Sequence, residues 1–177
     1  MTSERKVILY IAMSLDGYIA TENGDIGFLS MVEQEGIDYG YAEFIRTIDT
    51  VIMGRKTYDK VLSLGIEFPH SDKETYVITR TAKTDIGSIR FYSGSLINLV
   101  AKLKAGKGKN IYCDGGAEIV TLLLSENLID EFYISIIPVL LGKGILLFKT
   151  GRPELKLILK STRQFEKGLV QLHYVRM

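Results

Sequence analysis

Runs of apolar residues, separated by glycines and polar residues, divide most of the chain into predicted strands and helices. The apolar run from Lys6 to Met13 is nearly continuous, which is typical of a strand buried in the middle of a sheet. Shorter apolar runs predict further strands at 50–54, 75–79, 89–92, 110–113 and 130–138. Apolar residues at helical spacing predict helices at 39–48, 55–64, 96–103 and 116–125. Residues 21–37 show neither pattern and are predicted to form a long loop.

The order of these elements predicts the fold class. Strands alternate with helices through most of the chain, which favours a parallel sheet with helices on both faces. The C-terminal region differs, because residues 155–165 and 169–176 predict two strands joined by a turn at 166–168. We therefore predict one three-layer α/β domain over residues 1–177. Its sheet is mixed and mostly parallel, and it ends in an antiparallel C-terminal strand pair.

Composition and charge exclude several classes of protein. Of the 177 residues, 46% are hydrophobic and 24% are charged, and the net charge is +1, so neither a nucleic-acid nor a membrane partner is predicted. The single cysteine, Cys113, allows no internal disulfide, and no signal peptide is evident, so a cytoplasmic location is predicted. His70 and His173 have no companion at ligand spacing, so no metal site is predicted.

Two glycine turns between a strand and a helix point to a phosphorylated ligand. In the stretch Val51–Tyr58 a β-branched run ends at a glycine, and a helix follows it directly. Helix N-termini offer free N–H groups and a partial positive charge to phosphate. Arg55 adds a permanently charged guanidinium. The second turn, Asp114–Gly116, repeats the arrangement, so the sequence predicts a phosphorylated cofactor held between the two.

Several segments, in this order along the chain, resemble the dihydrofolate reductase superfamily. They are Ala12–Ala20, Met53–Tyr58, Val77–Arg80, Asp114–Gly116, and Leu128–Glu131 followed by Pro138–Gly142. The last pair is most similar to the reductase domain of the bifunctional riboflavin-biosynthesis enzyme. The resemblance implies a dihydrofolate reductase-like fold, NADPH as cofactor, and hydride transfer to a pyrimidine- or pteridine-like heterocycle.

The resemblance also implies which residues contact NADPH. Arg55 is expected at the 2′-phosphate, and Thr79 and Arg80 beside the adenine ribose. Gly115 and Gly116 are expected under the pyrophosphate, where glycine lets the backbone approach closely. Ala12 and Ile19 are expected to flank the loop that covers the nicotinamide. The full set of implied cofactor-binding residues is Ala12, Ile19, Gly54, Arg55, Lys56, Thr57, Thr79, Arg80, Asp114, Gly115, Gly116, Ala117 and Glu118.

Three residues are candidates for handling the substrate and its proton. Asp38 matches the position of the carboxylate that grips the pterin ring in dihydrofolate reductases, where an apolar cleft is expected to raise its pKa. The alternative role for Asp38 is a helix N-cap. Ser135 matches a hydroxyl beside that acid, and it fits equally well as a small residue in a buried strand. Asp16 is the alternative acid, and it fits equally as part of a loop turn. Asp114 is placed to face the substrate cleft.

The substrate half of the resemblance is incomplete. The segment 57–70 lacks the aspartate–proline step of the riboflavin-pathway reductases, and the chain has no tryptophan, unlike the folate enzymes. The nearest named activity is reduction of 5-amino-6-(5-phosphoribosylamino)uracil. Dihydrofolate reduction and a non-catalytic NADPH-binding domain are the alternatives. A homodimer is expected, because related domains pair through their C-terminal strands and Phe132–Phe148 is strongly apolar.

Overall fold

A mixed eight-stranded sheet organises the chain. The structure, a computed structural model, describes residues 4–177; residues 1–3, which the sequence predicts to lead directly toward the first strand, lie outside that range. The strands of this sheet are β1 (Val7–Ser14), β3 (Ile48–Gly54), β4 (Glu74–Ile78), β5 (Ile89–Tyr92), β6 (Asn110–Gly115), β7 (Glu131–Ile137), β9 (Leu157–Gln164) and β10 (Val170–Arg176). The helices are α1 (Tyr41–Arg46), α2 (Arg55–Ser63), α3 (Leu96–Ala105) and α4 (Ala117–Ser125).

The strand directions confirm the predicted fold class. Across the sheet the order is β5-β4-β3-β6-β1-β7-β10-β9. The first six strands in that order run parallel to their neighbours. Strand β10 then pairs antiparallel with both β7 and β9. The region in which strands alternate with helices therefore forms the parallel part of the sheet, and the two C-terminal strands form the predicted antiparallel pair.

The two faces of the sheet carry different helices, as predicted. On one face Val100 of α3 and Leu123 of α4 pack on Ile52 and other buried strand residues. On the opposite face Phe44 of α1 and Tyr58 of α2 pack on a second buried cluster. Alternate residues of each strand point to opposite faces, so the near-continuous apolar run of β1 supplies both clusters.

The predicted helix at 39–48 is wrong at both ends. Gly40 has a φ of 87°, in the left-handed region, and α1 begins only after it. Ile48, which lies at helical spacing from Phe44, is instead the first residue of β3 and is 2% exposed. Ile48 packs in the same buried cluster as Phe44. An apolar residue four positions after Phe44 fits the end of a helix as well as the start of a strand, so the apolar pattern alone does not distinguish the two.

Two short elements were not predicted. A two-stranded antiparallel sheet pairs β2 (Tyr18–Ala20) with β8 (Ile145–Leu146). Within the predicted loop at 21–37, residues Gly27–Val32 form a 3-10 helix. The small sheet of β2 and β8 requires glycine at position 144, because a Cβ there would overlap the carbonyl oxygen of Ala20. These segments are too short for a hydrophobic period to identify.

A crevice opens where two neighbouring strands send their helices to opposite faces. Strands β3 and β6 are adjacent and parallel, so their carboxyl ends meet at the same edge of the sheet. Helix α2 leaves β3 toward one face, and α4 leaves β6 toward the other. Ligands of open α/β sheets bind at such a point.

Candidate functional site

The two predicted glycine turns meet at this crevice. A Cβ added to Gly54 would lie 3.1 Å from Cγ1 of Ile119 and 3.7 Å from the carbonyl oxygen of Gly115. The end of β3 therefore touches both the end of β6 and the first turn of α4. Gly115 has a φ of 99°, which side chains with a Cβ rarely adopt. Glycine is thus required on both strands to bring the two turns together.

A hydrogen bond connects the two helix starts. The backbone N–H of Gly116 donates to Oγ1 of Thr57 at 3.0 Å. Neither α2 nor α4 begins with a side-chain cap, so the free N–H groups of Lys56, Ala117 and Glu118 at the starts of the helices are available to an anion. A pyrophosphate needs backbone that it can approach closely and helix N-termini whose N–H groups have no side-chain partner, and both occur here. The residues present therefore fit a dinucleotide.

The positive side chains lie at the same edge. Arg55 Nε donates to Asp59 Oδ1 at 2.7 Å, and its guanidinium carbon lies 5.8 Å from the centre of the Phe91 ring. Lys56 Nζ is 3.6 Å from Glu118 Oε1. The sequence prediction did not include Asp59, although its spacing of four residues from Arg55 on a helix is typical of an ion pair.

The residues predicted to contact the adenine ribose also lie here. Ile78 at the end of β4 is the register partner of Gly54, so Thr79 and Arg80 follow at the carboxyl edge beside Arg55. Thr79 donates its backbone N–H to the carbonyl oxygen of Tyr92. The structure therefore gathers the predicted residues from three strand ends into one region.

Asp114 is the carboxylate that lies at the glycine turn. Tyr112 donates its hydroxyl hydrogen to Asp114 Oδ1 at 2.7 Å, and His70 Nε2 lies 3.2 Å from Oδ2. Burial, followed by the negative charge of Asp114, raises the pKa of Tyr41 and raises the pKa of Tyr112 well above its ordinary value. Both hydroxyls therefore stay protonated, and Tyr112 remains a donor. The side chain of Asp114 is 20% exposed, so it is accessible at the end of β6, directly before the glycine turn.

Sequence reasoning missed this cluster around Asp114. Its members come from α1, from the segment between α2 and β4, and from β6, and 44 residues separate His70 from Asp114. The histidine was considered only as a possible metal ligand. No group of three metal-binding side chains occurs among residues 4–177.

Asp38 has the contacts of a helix cap. Its Oδ2 accepts the N–H of Ala42 at 2.8 Å and its Oδ1 accepts the N–H of Gly40 at 3.0 Å. These two hydrogen bonds lower the pKa of Asp38, and the one from Ala42 has the larger effect. The expected raised pKa in an apolar cleft is therefore wrong, because the carboxylate is exposed and bonded to backbone donors. An acid of this kind is ionised at neutral pH and is a poor proton donor.

Asp16 connects two loops. It accepts a hydrogen bond from Ser14 Oγ at 2.6 Å, and from the backbone N–H groups of Leu141 at 3.1 Å and Gly142 at 2.7 Å. The bond from Ser14 lowers the pKa of Asp16 most, and those from Gly142 and Leu141 add to it. These contacts match the loop-shaping alternative, in which Asp16 fixes the 14–18 turn against the loop after β7.

Asp16→Ala is therefore expected to loosen these two loops. Without the carboxylate, hydrogen exchange should accelerate in residues 15–20 and 139–142, and NADPH affinity should fall if this region covers the nicotinamide. Hydrogen-exchange mass spectrometry and NADPH titration measure the two effects. If Asp16 were instead the catalytic acid, turnover would fall while exchange in both loops stayed unchanged.

The remaining predicted residues lie on either side of the sheet. Ser135 is 5% exposed and its Oγ accepts a hydrogen bond from Gln171, which also donates to the carbonyl oxygen of Tyr39. Ser135 thus lies one side chain away from the loop that carries Asp38, and β1 separates it from β6. Ala12 is the register partner of Ser135, whereas Ile19 packs on the cluster that includes α4.

Two concavities lie elsewhere, beside α1 and the antiparallel strands. Their volumes are about 500 and 330 Å³, and Arg163 lines both. Neither is lined by Arg55 or by the 115–116 turn. We identify the site at the glycine turns by its donors and charges, since it is an open edge rather than an enclosed cavity. None of the helices in residues 4–177 has the length and apolar character needed to cross a membrane.

Comparison with known sequences identifies one family and close relatives. The family described as RibD C-terminal domain matches residues 5–171. The uncharacterized protein YwjB of Bacillus subtilis (strain 168) is 49% identical over 174 residues, which cover 98% of this chain and 99% of YwjB. The uncharacterized protein YyaP of the same organism is 34% identical over 183 residues, covering 97% of this chain and 95% of YyaP.

Solved structures share the fold. A Shewanella sp. PV-4 protein, described provisionally as a riboflavin biosynthesis protein, is 33% identical with a TM-score of 0.87, over 97% of this chain and 99% of that one. RibD of Acinetobacter baumannii is 18% identical with a TM-score of 0.71, over 99% of this chain and 59% of that one. The deaminase/5-amino-6-(5-phosphoribosylamino)uracil reductase of Thermotoga maritima is 15% identical with a TM-score of 0.71, over 98% and 57%. The predicted dihydrofolate reductase-like fold is confirmed.

Proposed function

Because the chain belongs to the RibD C-terminal domain family, we propose that it is an NADPH-dependent reductase of a pyrimidine- or pteridine-like heterocycle. The nearest named activity is reduction of 5-amino-6-(5-phosphoribosylamino)uracil, which the Thermotoga maritima relative's description includes. The observation that carries the proposal is the meeting of the Gly54 and Gly115 turns, with Arg55 beside them, at one crevice.

The chain's own residues supply binding and orientation. The N–H groups at the starts of α2 and α4 bind the pyrophosphate, and Gly115 keeps the backbone free of a side chain there. Arg55 binds the 2′-phosphate, which distinguishes NADPH from NADH. The bound nicotinamide supplies the hydride. Reduction of a carbon–nitrogen double bond takes that hydride on carbon and one proton on nitrogen.

Asp114 replaces Asp38 as the carboxylate proposed to bind the substrate. It lies directly before the glycine turn, its side chain is partly exposed there, and Tyr112 donates a hydrogen bond to one of its oxygens. An ionised carboxylate only accepts hydrogen bonds, so it selects a heterocycle edge that carries N–H groups. In this role Asp114 orients the reacting ring, and the proton taken up on nitrogen would come from solvent water, because a carboxylate that only accepts hydrogen bonds cannot donate it.

Oxidation of NADPH with a panel of candidate substrates tests the proposal. The panel contains aminopyrimidines that carry ribosylamino groups with and without the phosphate, dihydropterins and dihydrofolate. We expect saturable oxidation with an aminopyrimidine or a pterin and a preference for NADPH over NADH. Saturable NADPH binding without oxidation of any of them would favour the non-catalytic alternative. Failure to bind NADPH would overturn both.

A second copy of this chain is proposed as the partner of the C-terminal strands. Strand β9 is the edge of the sheet and is exposed along its whole length. It presents Leu157, Ile158 and Leu159, which are 38%, 40% and 50% exposed. An exposed apolar edge strand invites pairing with another chain unless it is covered. The same face in a second copy is self-complementary in a two-fold dimer.

Leu159→Lys is therefore expected to shift the dimer toward monomer. A lysine in the interface places a charge that must be desolvated, while the same residue in a monomer is solvated. Sedimentation velocity over a concentration series measures the change, with Leu122→Lys on the exposed side of α4 as the matched control. A monomeric parent protein at all concentrations would contradict the dimer.

A further inference from the structure

His70 is a buried histidine for which the proposed reaction has no direct use. It lies between α2 and β4 and is 2% exposed. Its ring is held edge-on to Phe68 and Tyr112, with ring centres 5.6 and 5.8 Å away and planes at 88° and 87°. Two perpendicular aromatic contacts fix the orientation of the imidazole. Its nitrogens therefore point in fixed directions.

The two ring nitrogens have different surroundings. Nε2 lies 3.2 Å from Asp114 Oδ2, whereas Nδ1 is buried without a hydrogen-bond partner within residues 4–177. A carboxylate accepts only, so Nε2 carries the hydrogen. Nε2 is therefore the nitrogen whose hydrogen lies between the imidazole and Asp114.

The carboxylate of Asp114 is therefore held on both oxygens. Tyr112 donates to Oδ1 and His70 donates to Oδ2. These donors come from different segments and fix both torsions of a short side chain. Each oxygen keeps a further lone pair that neither donor occupies, and the side chain is 20% exposed, so the carboxylate can still accept from a ligand.

We propose that His70 is a positioning residue that fixes Asp114 to accept two neighbouring N–H groups of a heterocycle. The ligand class is a ring N–H beside an exocyclic N–H, an edge that aminopyrimidines and pterins share. This inference rests on the proposed function for its substrate, and on the His70–Asp114 contact for its geometry. His70 itself does not touch the substrate, because its free nitrogen is buried.

Two substitutions separate positioning from packing. His70→Phe keeps an aromatic ring among Phe68 and Tyr112 and removes the donor to Asp114. His70→Gln keeps an N–H donor at a similar reach and removes the ring. We expect His70→Phe to raise the KM of the heterocycle about tenfold, with a smaller change in kcat and an unchanged Kd for NADPH. His70→Gln should stay within about threefold of the parent KM.

Equal effects of the two substitutions would overturn the inference, as would a loss of NADPH binding that matches the loss of substrate binding. Thermal melting identifies a variant that has failed to fold. The ¹⁵N spectrum of the histidines, recorded on the parent protein, needs no substrate and decides the geometry even if no heterocycle is reduced. An Nε2–H ring whose signal changes in Asp114→Asn supports the inference. An Nδ1–H ring, or one indifferent to that substitution, overturns it.

Discussion

Asp114→Asn is expected to lower kcat/KM for the heterocycle by about 100-fold while the Kd for NADPH changes by less than about twofold. The asparagine keeps the shape of the side chain, so the glycine turn that follows it should keep its backbone. It removes the charge and replaces one acceptor oxygen with an NH2 donor, which faces either Tyr112 or His70, each a donor. Steady-state kinetics and NADPH fluorescence titration measure the two quantities.

Asp38→Asn is the matched control for that substitution. It also exchanges a carboxylate for an amide of the same shape, and asparagine is an equally good helix cap. The single oxygen of the amide can still accept from the N–H of Ala42, while the weaker contact with Gly40 is lost because an NH2 group does not accept. We expect kcat/KM to stay within about threefold of the parent value. A large loss in Asp38→Asn with a small one in Asp114→Asn would return the substrate role to Asp38.

The two glycine turns could be predicted because their signals are local in the sequence. A strand that ends in glycine and continues as a helix is written within the few residues around Gly54 and Gly115. The sequence does not state that these turns touch. That contact follows from the sheet order, which places β3 beside β6 although two strands and two helices lie between them in the chain. The resemblance to a known family implies only that both turns contact one cofactor.

The cluster around Asp114, the proposed substrate site, could not be predicted in the same way because its signals are not local. Tyr112, Asp114 and His70 meet only when β6 lies under the segment after α2. The match to the carboxylate of dihydrofolate reductases instead selects Asp38, whose type and position fit a helix cap and a substrate ligand equally well. The contacts of each aspartate indicate its role, and these contacts form only in the folded chain.

The proposed preference for NADPH over NADH depends on Arg55, which lies in a different part of the crevice from Asp114. Arg55 lies at the start of α2, where its side chain contacts Asp59 and the Phe91 ring. A guanidinium already oriented by these contacts needs little further ordering when a phosphate arrives. Asp59 is 50% exposed, so its ion pair contributes little to stability, and losing the pair should not unfold the chain.

Arg55→Ala is accordingly expected to weaken NADPH binding by about 10- to 100-fold and NADH binding by less than about twofold. In the proposed complex the arginine contacts only the phosphate that NADH lacks, so its removal should abolish the preference between the two dinucleotides. Titration of each dinucleotide at a fixed ionic strength measures this, because screening weakens the same contact. Lys60→Ala is the control, since Lys60 is an exposed cation in the last turn of the same helix. An equal loss of NADPH and NADH affinity in Arg55→Ala would place the guanidinium on the shared pyrophosphate instead.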